Sequence, residues 1–200
     1  MVVGITGGIA CGKSEAGRVL ETAGVMVLDA DEVAHFVSKY EPETCDAIAK
    51  AFGSTVFSPY GMLDRRALAK IVFSSPGERV KLERILHPRI KEILGVNIKR
   101  ARKRKANIAL VAPLLIEANF QDIVDVIWVV SSEERLQVKR LNENYGLSEI
   151  DAYRRINAQL PLREKEAYAD YVLRNNGTIS EFQKLVIETW ESTLREQEEE

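Results

Sequence analysis

Short apolar runs alternate along the chain with longer stretches of helical periodicity. The runs at 2–6, 25–28, 108–111, 124–130 and 171–173 are rich in β-branched residues and too short for helices, so they predict strands. Residues 13–23, 65–73, 78–104, 133–142 and 180–195 predict helices. Thr178 or Ser180 supplies a side-chain oxygen to cap the last of these. Pro88 follows His87 within 78–104 and predicts a break in that helix. Trp128 lies in an apolar run and belongs in the core, and Trp190 is placed to pack the final helix on the sheet. Strand and helix in alternation predict parallel strands joined by right-handed crossovers, with helices on both faces. The expected fold is therefore α/β, a three-layer α/β/α arrangement around a five-stranded parallel sheet.

Two segments interrupt that plan. Residues from about 31 to 104 carry helices but no convincing strand, and residues from about 133 to 167 are rich in Arg, Glu and Gln. The first suits a helical acceptor-binding region and the second a lid, both within one domain spanning 1–200.

Composition narrows the class. With 46% hydrophobic and 29% charged residues, the 200-residue chain suits a globular domain rather than disorder. A formal net charge of -2 gives no overall pull toward nucleic acid or membrane. No apolar run reaches the roughly 18 residues that span a bilayer. No signal-peptide pattern opens the chain, and Cys11 and Cys45 are too few for a disulfide framework, which together predict a cytoplasmic protein. The basic run KRARKRK at 99–105 ends a long helix, where positive charge complements the dipole, and no aromatics interleave it to stack bases. The acidic run at 196–200 is expected to fray.

The chemistry begins at Gly7, Gly12, Lys13 and Ser14, which satisfy G-x-x-x-x-G-K-[ST] between a strand and a helix. Glycines let the backbone curl so that N–H groups converge on phosphate oxygens, and the helix adds its positive end. Candidate nucleotide contacts are Gly8, Ile9, Ala10, Cys11, Gly12, Lys13, Ser14 and Glu15. Lys13 is expected to reach the β- and γ-phosphates, and the Ser14 hydroxyl to bind Mg²⁺. Cys11 is a small residue that fits the loop. At a helix N-terminus its thiol pKa is also open to lowering, which makes alkylation of Cys11 a candidate block to ATP binding.

A phosphate loop alone does not separate a kinase from a switch or an ATPase. The second strand runs into Leu28-Asp29-Ala30-Asp31, at the sheet edge where the loop lies. Asp31 is a candidate to orient or deprotonate an attacking hydroxyl, or else an N-cap, and Asp29 is the more structural of the two. The strand at 108–111 runs into Ala112-Pro113 without the terminal Asp that a switch needs for magnesium. Arg135, Arg140, Arg154, Arg155 and Arg163 are candidates to neutralise a transferring phosphoryl group from a lid.

These residues sit within a larger pattern that resembles the dephospho-CoA kinase family over nearly the whole chain. The resemblance rests on GITGGIACGKS at 4–14, LDADEVAH at 28–35, LDRRALAKIVF at 63–73, LHPRI at 86–90, APLLIE at 112–117 and INAQLPLREKEAYADYVLRNNGT at 156–178. It implies transfer of phosphoryl from MgATP to the ribose 3′-hydroxyl of dephospho-CoA. It also implies Asp31 as general base, Lys13 and Ser14 as phosphate and magnesium ligands, and Leu114 as a lining of the acceptor site. Arg140 matches a lid arginine near the phosphates, and Asn175 a position near the adenine. Arg65 and His87-Pro88 match motifs of the acceptor-side helical region. Ala10 and His35 depart from the Gly and Arg usual in the family. The expected partners are ATP and dephospho-CoA, with no nucleic acid and no membrane, and the expected state is a monomer. The alternative is another P-loop small-molecule or nucleotide kinase.

Overall fold

In the computed structural model, which describes residues 1–199, five parallel strands form one sheet in the order β2-β3-β1-β4-β5. The strands are β1 (Val2–Gly7), β2 (Met26–Asp29), β3 (Ile108–Val111), β4 (Val126–Ser131) and β5 (Tyr171–Arg174). The helices, in chain order, are α1 (Lys13–Thr22), α2 (Ala30–Tyr40), α3 (Pro42–Phe52), α4 (Arg65–Ser74), α5 (Pro76–Lys103), α6 (Glu134–Tyr145), α7 (Glu149–Asn157), α8 (Leu162–Glu166) and α9 (Ile179–Glu199). Every residue of β1 is buried. A parallel strand covered on both faces needs a continuous apolar run rather than alternation, and that is the pattern Val2–Gly7 carries. The register sets Val3 beside Ala109 and Val126, and Ile5 beside Val111 and Trp128.

The chain divides into two units, Met1–Asp29 with the chain from Ile98 onward, and Ala30–Asn97. In the first unit, one sheet face carries Val3, Ile5, Val111, Trp128 and Val130, packed with Ala16 and Leu20 of α1 and Phe182, Val186 and Trp190 of α9. Trp128 is fully buried and meets the rings of Tyr171 and Trp190 edge-on, at 6.4 Å in each case. Both tryptophans thus take the core positions expected of them. On the opposite face, a Cβ at Gly4 would lie 2.6 Å from Leu115, so the turn after β3 packs where only a glycine leaves room. The chain leaves β1 at Gly7 and starts α1 at Lys13, at the carboxyl edge of the central strand. There the strand order reverses, and open α/β sheets form their ligand crevices at such a point.

The second unit is helical. Ile48, Val56 and Leu68 form its core with Leu63, Leu82, Ile85 and Leu86 against them. Asp64 caps α4 by accepting from the amides of Arg66 and Ala67 at 2.9 and 3.1 Å. Arg89 of α5 donates to Glu41 at 2.6 Å, joining the start of α3 to α5. The expected break at Pro88 is absent, and α5 runs through it without interruption. A proline inside a helix costs about 3 kcal/mol. Ile85 and Leu86 before it pack in the core, while Ile90 and Leu94 after it are buried. At about 1.5–3 kcal/mol for each fully buried aliphatic side chain, burial on both sides outweighs the proline.

Two other expectations change in detail, and a third holds. The strand expected from 124 begins at Val126, because Val124 closes a turn onto Gln121 at 3.4 Å and the Asp125 carboxylate accepts from the amide of Val2 at 2.7 Å. The acidic tail does not fray from 196, since α9 continues to Glu199 through residues with good helix propensity; Glu200 lies outside the described residues. The basic run from 99 does end a helix, with Lys99, Arg100, Arg102 and Lys103 exposed and Arg102 paired with Asp125. Among the described residues no helix is long and apolar enough to cross a membrane.

Of the two candidate caps of α9, Thr178 takes the role. Its hydroxyl accepts from the Glu181 amide at 3.3 Å, while Glu181 accepts from the Thr178 amide at 2.7 Å, a reciprocal capping box. These bonds hold the Glu181 carboxyl below its usual pKa. Thr178→Ala should lower the unfolding free energy by about 1 kcal/mol in urea titration. Glu181→Ala should cost less in that background than in the unsubstituted protein, because Thr178 Oγ1 as well as the Thr178 amide donates to the Glu181 carboxylate. Full additivity of the two changes would show that the box does not act as a unit.

Candidate active site

The loop between β1 and α1 is held by its carbonyls. Lys13 Nζ donates to the carbonyls of Gly8 and Gly7 at 2.7 and 3.3 Å. Gln137 Nε2 donates to the Ile9 carbonyl at 2.7 Å, and Arg140 Nη1 to the Ala10 carbonyl at 3.2 Å. Asn175 Nδ2 donates to the Cys11 carbonyl at 2.8 Å. Five consecutive carbonyls, Gly7 to Cys11, therefore each accept from a side chain. The Gly12 carbonyl instead accepts from the amide of Ala16 inside α1, at 3.0 Å. The first-turn amides of α1, those of Ser14 and Glu15 among them, have no acceptor inside the helix, and they give the loop its positive end.

Two backbone positions make the curl possible. Gly12 has φ 107, and a methyl there would run into Asn175 Nδ2. Ala10 has φ 58, in the left-handed region that a glycine adopts freely and an alanine does not. The departure from glycine at this position thus falls where the backbone conformation is costly.

The donors come from several elements. Gln137 and Arg140 lie three apart on α6 and so share a face. Asn175 follows β5 directly and is buried. Arg140 also donates to Ser132 Oγ at 3.2 Å and to the Asn175 carbonyl at 2.9 Å, which binds the ends of β4 and β5 to the loop. Of the five candidate arginines, Arg140 alone reaches the loop. Arg135, Arg154, Arg155 and Arg163 are exposed, Arg135 pairing with Glu133 and Arg154 with Asp151. Glu15 turns its carboxylate to Arg18 at 2.6 Å and Gln183 at 2.7 Å, so what it offers a nucleotide is its amide.

Cys11 is fully buried, and its thiol pKa is raised. Desolvation is the largest cause, and the charges of Lys13 and Arg140 oppose it without overcoming it. The lowered pKa considered for this position is therefore absent, and Cys11 is a small buried residue of the loop.

A buried ion pair stands behind the site. Lys165 of α8 is fully buried and donates to the Pro113 carbonyl at 2.7 Å, with Glu117 Oε1 at 2.8 Å. Glu117 Oε1 also accepts from the amide of Leu160 at 3.2 Å. The adjacent Gln159 accepts from the amide of Ile9 at 2.9 Å. The turn between α7 and α8 thus joins the loop to the segment after β3, where Leu114 is half-buried. Sequence reasoning missed Gln137, Gln159, Lys165 and Glu117. Nothing in the sequence marks Lys165 as buried, since lysines rarely are.

Asp31 is the second residue of α2, in its first turn, and not the N-cap that was the alternative for it. Arg65 opens α4 and donates to Ser38 Oγ at 3.0 Å. Within the second unit, Ser38, Leu63, Arg65, Leu68, Leu82 and Leu86 line a largely apolar cavity of about 290 Å³. His87 is half-buried on α5, and burial lowers its pKa against the opposing charge of Glu83. Among the described residues no group of three His, Cys, Asp or Glu side chains is placed to hold a metal ion. The exposed Ser14 hydroxyl at the loop suits Mg²⁺ all the same, because that ion takes one or two protein ligands and fills its shell with phosphate oxygens and water.

A sequence model of the dephospho-CoA kinase family (CoaE) matches residues 1–181. The chain belongs to the dephospho-CoA kinase family. A dephospho-CoA kinase of Geobacter metallireducens is 40% identical over 195 residues, 97% of each chain. A crystal structure of a Thermus thermophilus protein superposes with a TM-score of 0.82 at 31% identity, covering 97% of each chain. A dephospho-CoA kinase of Campylobacter jejuni superposes with a TM-score of 0.74 at 22% identity over 98% of each chain, which shows a shared fold. The sheet and its phosphate loop are thus those of a P-loop kinase, and ATP is the phosphoryl donor such a kinase uses.

The thiol geometry gives a prediction. In the folded kinase, iodoacetamide should label Cys45 well before Cys11, as read by peptide mass spectrometry. Equal labelling rates would contradict the burial of Cys11. Its folded pKa stands above the unfolded value of 9.0, so its contribution to stability is complete below pH 9.0 and is lost as pH rises above it. The urea midpoint should therefore fall further between pH 8 and pH 10 for the unsubstituted protein than for Cys11→Ala.

Proposed function

We infer that this kinase transfers the γ-phosphoryl group of ATP to the ribose 3′-hydroxyl of dephospho-CoA, giving coenzyme A and ADP, the last step of coenzyme A synthesis. The observation that carries the reading is the family match over residues 1–181, joined to a phosphate loop whose five carbonyls are tied away from its amides. Phosphoryl transfer depends chiefly on positioning and on stabilising charge, and such a loop supplies both.

In the proposed site the loop from Gly8 to Glu15 wraps the β- and γ-phosphates and binds them through amides such as those of Ser14 and Glu15, while the Ile9 amide stays with Gln159 and the Cys11 amide with the Gly8 carbonyl. Lys13, already at the loop, turns its ammonium to the same oxygens. Mg²⁺ held by Ser14 and the phosphates would neutralise charge on the β- and γ-oxygens. Arg140 and Asn175 keep the loop in shape beside the nucleotide. The acceptor lies with the second unit, whose apolar cavity and Arg65 suit a ligand that is part hydrocarbon and part phosphate. His87 and Leu114 are the further acceptor contacts we propose. Asp31 accepts a hydrogen bond from the 3′-hydroxyl and takes its proton as the new O–P bond forms and the bond to the ADP oxygen breaks. A secondary alcohol is a weak acid, so Asp31 works first as an orienter and only late as a base. Residues 31–104 then serve as the acceptor region and 133–167 as a lid, in one kinase domain working in the cytoplasm, in keeping with free cysteines.

Coupled ADP release should be seen with dephospho-CoA and not with AMP, shikimate or no acceptor. Turnover only with another acceptor would overturn the assignment. Asp31→Asn should lower kcat by about 10²–10⁴-fold while the dissociation constant for ATP stays the same. Turnover of that variant near the unsubstituted rate would remove Asp31 from the chemistry.

A further inference from the structure

Both polar groups of one peptide residue in the loop are held by side chains. Gln137 Nε2 donates to the Ile9 carbonyl at 2.7 Å, and Gln159 Oε1 accepts from the Ile9 amide at 2.9 Å. The glutamines come from different elements, α6 and the turn after α7, and they grip Ile9 as a neighbouring strand would. The next residue is Ala10, at φ 58. The Ile9 and Ala10 side chains pack against Val138, Leu141 and Ala152. On the flank toward the glutamines a cavity of about 340 Å³ adjoins the loop instead, lined by Gly8, Ser132, Gln137, Gln159 and Leu160 among others, and there hydrogen bonds orient the peptide.

We propose that Gln137 and Gln159 are positioning residues for ATP, forming a clamp on Ile9 that holds Ala10 in its left-handed conformation and so keeps the phosphate loop preformed. The inference rests on the ATP-site reading above. A left-handed alanine costs about 1–2 kcal/mol over its relaxed conformation, and a strained residue persists only where its surroundings over-determine it. The clamp supplies that determination on one side of Ala10, and Arg140 on the Ala10 carbonyl supplies it on the other. Without the clamp the loop relaxes, and ATP must restore the conformation at the expense of affinity. A glycine at position 10 carries no such cost, so it should compensate for loss of the clamp. While the clamp is intact, Ala10 is left-handed both with and without nucleotide, and glycine gains nothing in binding.

The test is a cycle of Gln137→Met and Ala10→Gly, singly and together. Methionine keeps the volume of the buried Gln137 and removes its donor. Affinity is read by fluorescence with an N-methylanthraniloyl ATP analogue, which needs no acceptor. Gln137→Met should weaken binding about fivefold to thirtyfold, the left-handed cost converted at about 1.4 kcal/mol per tenfold. Ala10→Gly should restore most of that loss in the Gln137→Met background, and tighten binding several-fold less when Gln137 is present. In steady-state assays KM for ATP should rise while KM for dephospho-CoA holds. Identical effects of Ala10→Gly in both backgrounds, or unchanged affinity in Gln137→Met, would overturn the proposal. If Gln137→Met does not fold by circular dichroism, the same cycle with the half-buried Gln159→Met decides, with the same two outcomes. Failure of the kinase reading would appear separately, as absent ADP release from the unsubstituted protein with dephospho-CoA.

Discussion

A peptide unit points its N–H and its C=O in opposite directions, and this one fact organises the molecule. A loop that turns its amides toward a phosphate must turn its carbonyls into the protein. Buried carbonyls need donors, because an unpaired one costs roughly as much as a lost hydrogen bond. The loop from Gly7 to Cys11 presents five of them, and Lys13, Gln137, Arg140 and Asn175 answer. Those residues come from α1, α6 and the end of β5. The order β2-β3-β1-β4-β5 makes this possible by placing β4, and the elements that follow β4 and β5, on one side of the central strand.

The same accounting separates what the sequence discloses from what it hides. Val2–Gly7 reads as a buried parallel strand because a strand covered on both faces has no polar alternation to lose. Gly12, Lys13 and Ser14 declare phosphate binding because their spacing follows from loop geometry. The partners of the loop carbonyls do not declare themselves. Gln137 lies 128 residues from Ile9, and Asn175 lies 164 from Cys11. Any amide or guanidinium on the right surface would serve, so no local pattern marks them. Pro88 shows the opposite error. The local rule is sound, but Ile85, Leu86, Ile90 and Leu94 lie beyond its reach, and burial decides. The short helices α7 and α8 escaped for a related reason: helices of 9 and 5 residues carry too few turns for a periodic signal.

Behind the loop, Lys165 and Glu117 pose a different problem. A fully buried ammonium loses its hydration, and pairing alone seldom repays that loss. Here the ammonium has a carbonyl as well as a carboxylate, and the carboxylate oxygen holds a backbone amide besides. Hydrophobic residues of similar volume would pack as well, but they would leave the Pro113 carbonyl and the Leu160 amide without these bonds. The pair therefore fixes geometry, setting the turn at Gln159 and Leu160 relative to the segment that carries Pro113 and Leu114.

Electrostatics at the loop follow the same economy of partners. Glu15 stands in the first turn of α1, where an acid complements the dipole but would also repel a bound phosphate. Its carboxyl pKa is lowered, first by hydrogen bonding to Arg18, so it remains ionised. Arg18 and Gln183 draw it onto the outer flank of the helix, with Arg18 exposed and its charge in water. Cys11 avoids the converse difficulty by staying neutral, since burial outweighs the cations beside it. Lys13 and Arg140 bring positive charge to the loop through bonds to its carbonyls. A cation that bonds a carbonyl satisfies it without giving up its own charge. Satisfying the loop through its carbonyls therefore does two things at once: it fixes the backbone, and it leaves the local field positive, the sign that a polyphosphate requires.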